Sequence, residues 1–90
     1  MPQLTEDGAL GKLVAPEPIS FQDLDDILTA FGFIASMPGG VVWYRHSTYD
    51  AGEFRAEPRY RFSVLSDAER QIVWRMIERV RDLRDLEGLL

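Results

Sequence analysis

Apolar residues recur along this chain in two rhythms. From position 21 onward, Phe21, Leu24, Ile27, Leu28 and Phe31 keep the three-and-four spacing of one helical face. Ser20 and Asp23 stand where a capping box opens a helix, and Ile19 and Leu24 where a hydrophobic staple fixes its entry. Gly32 stands where the chain must leave it. The same signs return at Ser66 and Glu69, followed by Ile72, Val73, Met76, Ile77, Val80 and Leu83 on one face and Gly88 at the end. Between these stretches the rhythm shortens to two. "FIASM" (33–37), "VVWYRHS" (41–47) and "EFRAEPRYRFSVL" (53–65) are rich in β-branched and aromatic residues. "PGG" (38–40) and "YDAG" (49–52) supply turns. The pattern predicts a three-stranded antiparallel meander, with Pro58 marking an edge, a bulge or a break in the third strand. Two amphipathic helices and a sheet apolar on one side predict an α+β fold, a two-layer α-β-β-β-α sandwich.

Residues 1–18 hold Pro2, Gly8, Gly11, Pro16 and Pro18 and read as an arm or tail. Leu10, Leu13 and Val14 would dock it on the body or on a partner, with a helical turn allowed. Residues 19–87 then form a single domain and 88–90 a short tail. At 90 residues the core is small, and self-association or a partner would add to its stability.

Strand alternation sorts the side chains onto two faces. Val42, Tyr44 and His46 share one face of the second strand, and Tyr60, Phe62 and Val64 the matching face of the third. The opposite face collects Trp43, Arg45, Arg59 and Arg61, with Arg55 near them. An indole among guanidinium groups suits a protein partner or unstacked bases. It equally suits internal packing of arginine on the ring. The last helix carries a second leftover: Arg70, Trp74 and Arg81 follow one ridge. Trp74 lies about 150° from the centre of the apolar stripe at ~100° per residue. An outward indole there is expected under the N-terminal arm or a second subunit.

Charge changes the picture of possible partners. The net charge is −5, and arginine outnumbers lysine nine to one. Residues 1–32 carry −5, 33–65 carry +1 and 66–90 carry −1. That balance opposes non-specific nucleic-acid binding and leaves room for a local arginine site that takes carboxylate or phosphate. Asp23, Asp25 and Asp26 fall early in the first helix, where they suit its dipole, and no converging ligands mark a metal site. With no cysteine there is no disulfide, thiol nucleophile or cysteine–zinc site. No phosphate loop, dinucleotide fingerprint, zinc spacing or serine-hydrolase motif occurs, so no cofactor and no metal is expected. No apolar run is long enough for a membrane span. The amino terminus lacks the blocks of a signal peptide, so a cytoplasmic location and no membrane partner are expected. His46, the only histidine, is the only candidate general base. Asp50, Glu53 and Glu57 lie near it in sequence, but a structural or surface role fits it better.

"FQDLDDILTAFGFIASMPGGVVWYRHS" followed by "FSVLSDAERQIVWRMIERV" resembles the HicA-like family of toxin components from toxin–antitoxin pairs, over residues 20–83. The resemblance implies a double-stranded-RNA-binding-like α-β-β-β-α fold, RNA cleavage by a histidine on the sheet, and neutralisation by an antitoxin partner. The family's active histidine follows the glycine turn directly, where this chain has Val41 and Val42. His46 falls several residues later, and the chain is acidic where the family is commonly basic. The expected function is therefore a small non-catalytic interaction module that binds a protein partner or a second copy through its arginine and tryptophan surface. The alternative is an RNA-binding, toxin-type protein with weak or lost ribonuclease activity.

Overall fold

The computed structural model describes residues 4–37, 39, 41–56 and 64–89. Helix α2 (Phe21–Ala30) opens with the expected box: Ser20 Oγ accepts the Asp23 N–H at 3.1 Å, and the Asp23 carboxylate accepts the Ser20 N–H at 3.4 Å. Leu24, Ile27 and Leu28 are completely buried, each contributing about 1.5–3 kcal/mol of apolar transfer. Helix α3 (Asp67–Gly88) opens with the same reciprocal box between Ser66 and Glu69. Its Val73, Met76, Ile77 and Val80 line the core. Ile72, expected on that face, is 45% exposed, because it sits to the side of the 73-76-77-80 stripe that meets the sheet.

Strands β1 (Phe33–Ser36), β2 (Val42–His46) and β3 (Glu53–Ala56) form one antiparallel sheet in sequence order. Phe33 pairs with His46 and Tyr44 with Phe54, so the registers of the two hairpins are fixed. Phe33, Tyr44, Phe54 and Ala56 are buried against the helices, while Ile34, Ser36, Arg45, Glu53 and Arg55 on the other face are exposed. The expected α+β class with a meander sheet stands. The α-β-β-β-α order runs from α2 to α3, and a third helix precedes it.

That helix, α1 (Glu6–Val14), occupies the segment expected as an arm. Thr5 Oγ1 caps it by accepting the Gly8 N–H at 3.0 Å, and Ala9 and Leu13 are part of the core. Gly8 and Gly11 lower its intrinsic propensity; tertiary anchors supply what propensity lacks. Arg70 of α3 donates to the carbonyls of Leu13 (2.7 Å), Ala15 (2.6 Å) and Glu17 (3.0 Å). Arg84 makes a two-pronged ion pair with Glu6 at 2.8 and 2.9 Å. The start of α1 is thus tied to the end of α3, and its end to the start of α3, so the two run antiparallel.

Beyond β3, residues 57–63 lie outside the described residues. They include Pro58, the inward positions expected for Tyr60 and Phe62, and the outward positions expected for Arg59 and Arg61. The chain returns at an isolated bridge between Val64 and Ser20, with the Leu65 N–H on the Ile19 carbonyl at 2.8 Å. Val64, expected inward, is 53% exposed, and Leu65 turns into the core in its place. The alternation is therefore displaced by one residue here.

Candidate functional site: the open face of the sheet

The outer face of the sheet carries two cross-strand rows. Ser36, Trp43 and Arg55 form one, and Ile34, Arg45 and Glu53 the other. In the first row the Arg55 guanidinium carbon lies 5.7 Å from the Trp43 ring centroid, a cation–π contact of about 0.5–1 kcal/mol at an exposed site. Trp43 is half-buried by its neighbours. In the second row Arg45 is exposed and makes no hydrogen bond or ion pair with another described residue. Ile34 beside it is 51% exposed. The structure therefore brings Trp43, Arg45 and Arg55 together on one face. Sequence reasoning gave Arg55 only as a neighbour and passed over Ile34, although period-two alternation across the paired strands reaches both.

His46 lies on the other face, at the end of β2. Its Nδ1 accepts the N–H groups of Thr48 and Tyr49, each at 3.0 Å. Nε2 is 2.8 Å from the Phe31 carbonyl and must therefore carry the proton it donates there. The ring meets Phe33 edge-on at 5.2 Å and stacks on Tyr49 at 5.1 Å. A Cβ on Gly32, whose φ is +87°, would fall 2.9 Å from Nε2. His46 thus fastens the β2–β3 loop to the end of α2, with main-chain groups on both ring nitrogens. That geometry is structural: a general base needs a lone pair directed at a substrate.

The ridge expected on α3 is divided. Arg70 closes the end of α1 and so faces this chain rather than a ligand. Trp74, one turn further along the strip that α1 follows, is half-buried and packs against the core. Arg81 is exposed and adds its charge near Glu6. The Arg84 guanidinium, by hydrogen bond and charge, holds the Glu6 carboxyl below its usual range. Nearby, the Glu87 carboxylate pushes the Tyr49 hydroxyl's pKa up. Tyr44 donates to Asp25 Oδ1 at 2.9 Å, joining β2 to α2; burial, then the bond to Asp25, raises its pKa.

One open depression of about 340 Å³ borders the outer face, lined by residues that include Ile34, Arg45, Thr48, Asp50 and Glu53. Among the described residues no cluster of three or more His, Cys, Asp or Glu could hold a metal ion. Nor is any helix among them long and apolar enough to cross a membrane.

Fold and site define a small α+β domain with helices packed on one side of a three-stranded sheet and, among the described residues, no element on the other. No protein-family model, curated protein or solved structure matches the chain.

Proposed function

We propose that this chain is a non-catalytic protein-interaction module whose binding face is the open side of the sheet. The observation that carries the reading is Arg45: an exposed guanidinium without a described intramolecular partner, between Ile34 and Glu53 and beside the Trp43 row. A guanidinium next to an indole and an aliphatic side chain suits a partner surface with carboxylates around an apolar residue. On this face Arg45 stands opposite Glu53, and Arg55 packs over the Trp43 ring. The main-chain bonds on both nitrogens of His46 support a role without acid–base chemistry.

The test is affinity capture from the source cells, comparing the wild type with Trp43→Ala/Arg45→Ala and with Arg75→Ala on α3. A partner kept by Arg75→Ala should bind the double variant about ten- to thirtyfold more weakly, as loss of one or two interface anchors costs. If every captured protein binds the double variant as well as the wild type, the open face is not the binding site.

A second reading follows from the same residues. The stretch α2-β1-β2-β3-α3 has the α-β-β-β-α order of a double-stranded-RNA-binding-like fold, which the HicA-like resemblance implies. An indole with guanidinium groups on an open sheet also suits unstacked bases. The net charge of −5 favours the protein partner. Tight RNA binding at low salt, lost in Trp43→Ala/Arg45→Ala, would reverse that preference.

A further inference from the structure

Among the described residues strand β1 is an edge strand, and nothing within Phe33–Ser36 protects it. Natural edges are blunted with charge, proline or a bulge. Here Phe33–Ser36 carries no charge, Ile34 is 51% exposed, and Met37 just beyond is 67% exposed. Ala35 and Ser36 are also exposed, so the outer edge of the strand is accessible.

The hydrogen-bond phase of this edge follows from one contact. Ser47 N–H donates to the Gly32 carbonyl at 3.2 Å, and this pair continues the register of Phe33 with His46. Bonded and non-bonded pairs alternate in an antiparallel ladder. Ile34 and Ser36 therefore turn their peptide groups toward β2, while Phe33 and Ala35 turn theirs outward to the unpaired side.

We infer that the chain forms a two-fold homodimer by antiparallel pairing of β1 with β1 of a second copy, centred on Ile34. In that register Phe33 faces the second copy's Ala35, and each such pair exchanges both of its N–H···O bonds. Every outward peptide group of the strand centre then has a partner. Ile34 falls opposite its own equivalent at a non-hydrogen-bonded position, where side chains approach most closely. Each exposed isoleucine thus covers the other. Displacing the register by two residues would set Ile34 against Ser36 and forfeit that apolar pair. An isologous contact of this kind closes on itself and makes no fibre. The product is one continuous sheet in which both Trp43–Arg45 faces lie on the same side. The inference does not depend on what, if anything, those faces bind.

Because the chain has no cysteine, a single engineered one reports the pairing directly. Residues opposite one another at such a position have Cα atoms about 4.5 Å apart, within the ~4.4–6.8 Å that a disulfide spans. Ile34→Cys should therefore cross-link to a covalent dimer under mild oxidation, and Ser36→Cys should not. Sedimentation of the cysteine-free wild type should show a concentration-dependent dimer. Ile34→Lys, at an exposed site, should keep the wild-type circular dichroism and raise the dimer dissociation constant about tenfold or more, since like charges would face each other. Trp43→Ala/Arg45→Ala should dimerise as the wild type does, which separates this result from the fate of the open-face reading. A monomer at every concentration, with no Ile34→Cys cross-link, overturns the inference. So does a dimer insensitive to Ile34→Lys. Cross-linking of Ala35→Cys in place of Ile34→Cys overturns the Ile34-centred register.

Discussion

Replacing His46 by alanine separates a structural histidine from a catalytic one by the sign of its effect on stability. The substitution removes the Nε2–H bond to the Phe31 carbonyl and the Nδ1 acceptor shared by two N–H groups. Each such bond is worth roughly 0.5–1.5 kcal/mol net, and the exposed Thr48 N–H belongs at the low end. Loss of the ring's contacts with Phe33 and Tyr49 adds roughly 0.5–1.5 kcal/mol. The total is about 2–5 kcal/mol, a large share of the roughly 5–13 kcal/mol expected for a domain of this size. At ~4–8 °C per kcal/mol the melting temperature should fall by about 10–40 °C. Urea unfolding followed by circular dichroism reads the loss as a lower midpoint with an unchanged slope. His46→Asn should recover part of it, because its side-chain oxygen can accept the Thr48 and Tyr49 N–H groups in the place of Nδ1. A catalytic residue is commonly held at a cost in stability, and removing one tends to stabilise. An unchanged or raised midpoint for His46→Ala would refute the fastening role.

Arg70→Ala should destabilise by about 2–4 kcal/mol, because it strips charged donors from part-buried carbonyls; Arg70→Lys should fall between it and wild type, and a midpoint equal to that of Arg75→Ala would contradict the clamp. Because Arg84 depresses the Glu6 pKa, that pair's contribution is present above the usual carboxylate value of 4.5 and is lost as pH falls through the folded-state value. Half-exposed as the pair is, its worth is under about 1 kcal/mol, so Glu6→Gln should flatten the acid limb of a stability–pH curve slightly and differ least from wild type in high salt. Tyr44 runs the other way: its raised pKa leaves its contribution intact below 10.0 and lost as pH rises further, when the unfolded chain ionises first. Phenolate absorbance should show a component that ionises only as the protein unfolds, and Tyr44→Phe should remove it.

Local signals were legible wherever they were short and repeated. The boxes at Ser20 and Ser66 bring their partners within three residues, and both helices begin where those pairs stand. Alternation in "VVWYRHS" put Trp43 and Arg45 on one face and Tyr44 and His46 on the other. Helix α1 was illegible for the opposite reason. Its glycines speak against a helix, and the arginines that hold it lie more than fifty residues away. Arg70 reads on paper as one more surface guanidinium, since nothing local shows that three carbonyls converge on it. His46 is similar: its position was plain, but its main-chain partners depend on how the chain turns after it.

The two ties on α1 also order events in time. Glu6 is 78 residues from Arg84, and Leu13 is 57 from Arg70. A chain leaving the ribosome therefore exposes Ala9 and Leu13 long before the guanidinium groups that secure them exist. Such distant closures are slow to form, so α1 should be among the last pieces to settle and the first that a nascent-chain binding factor could grip.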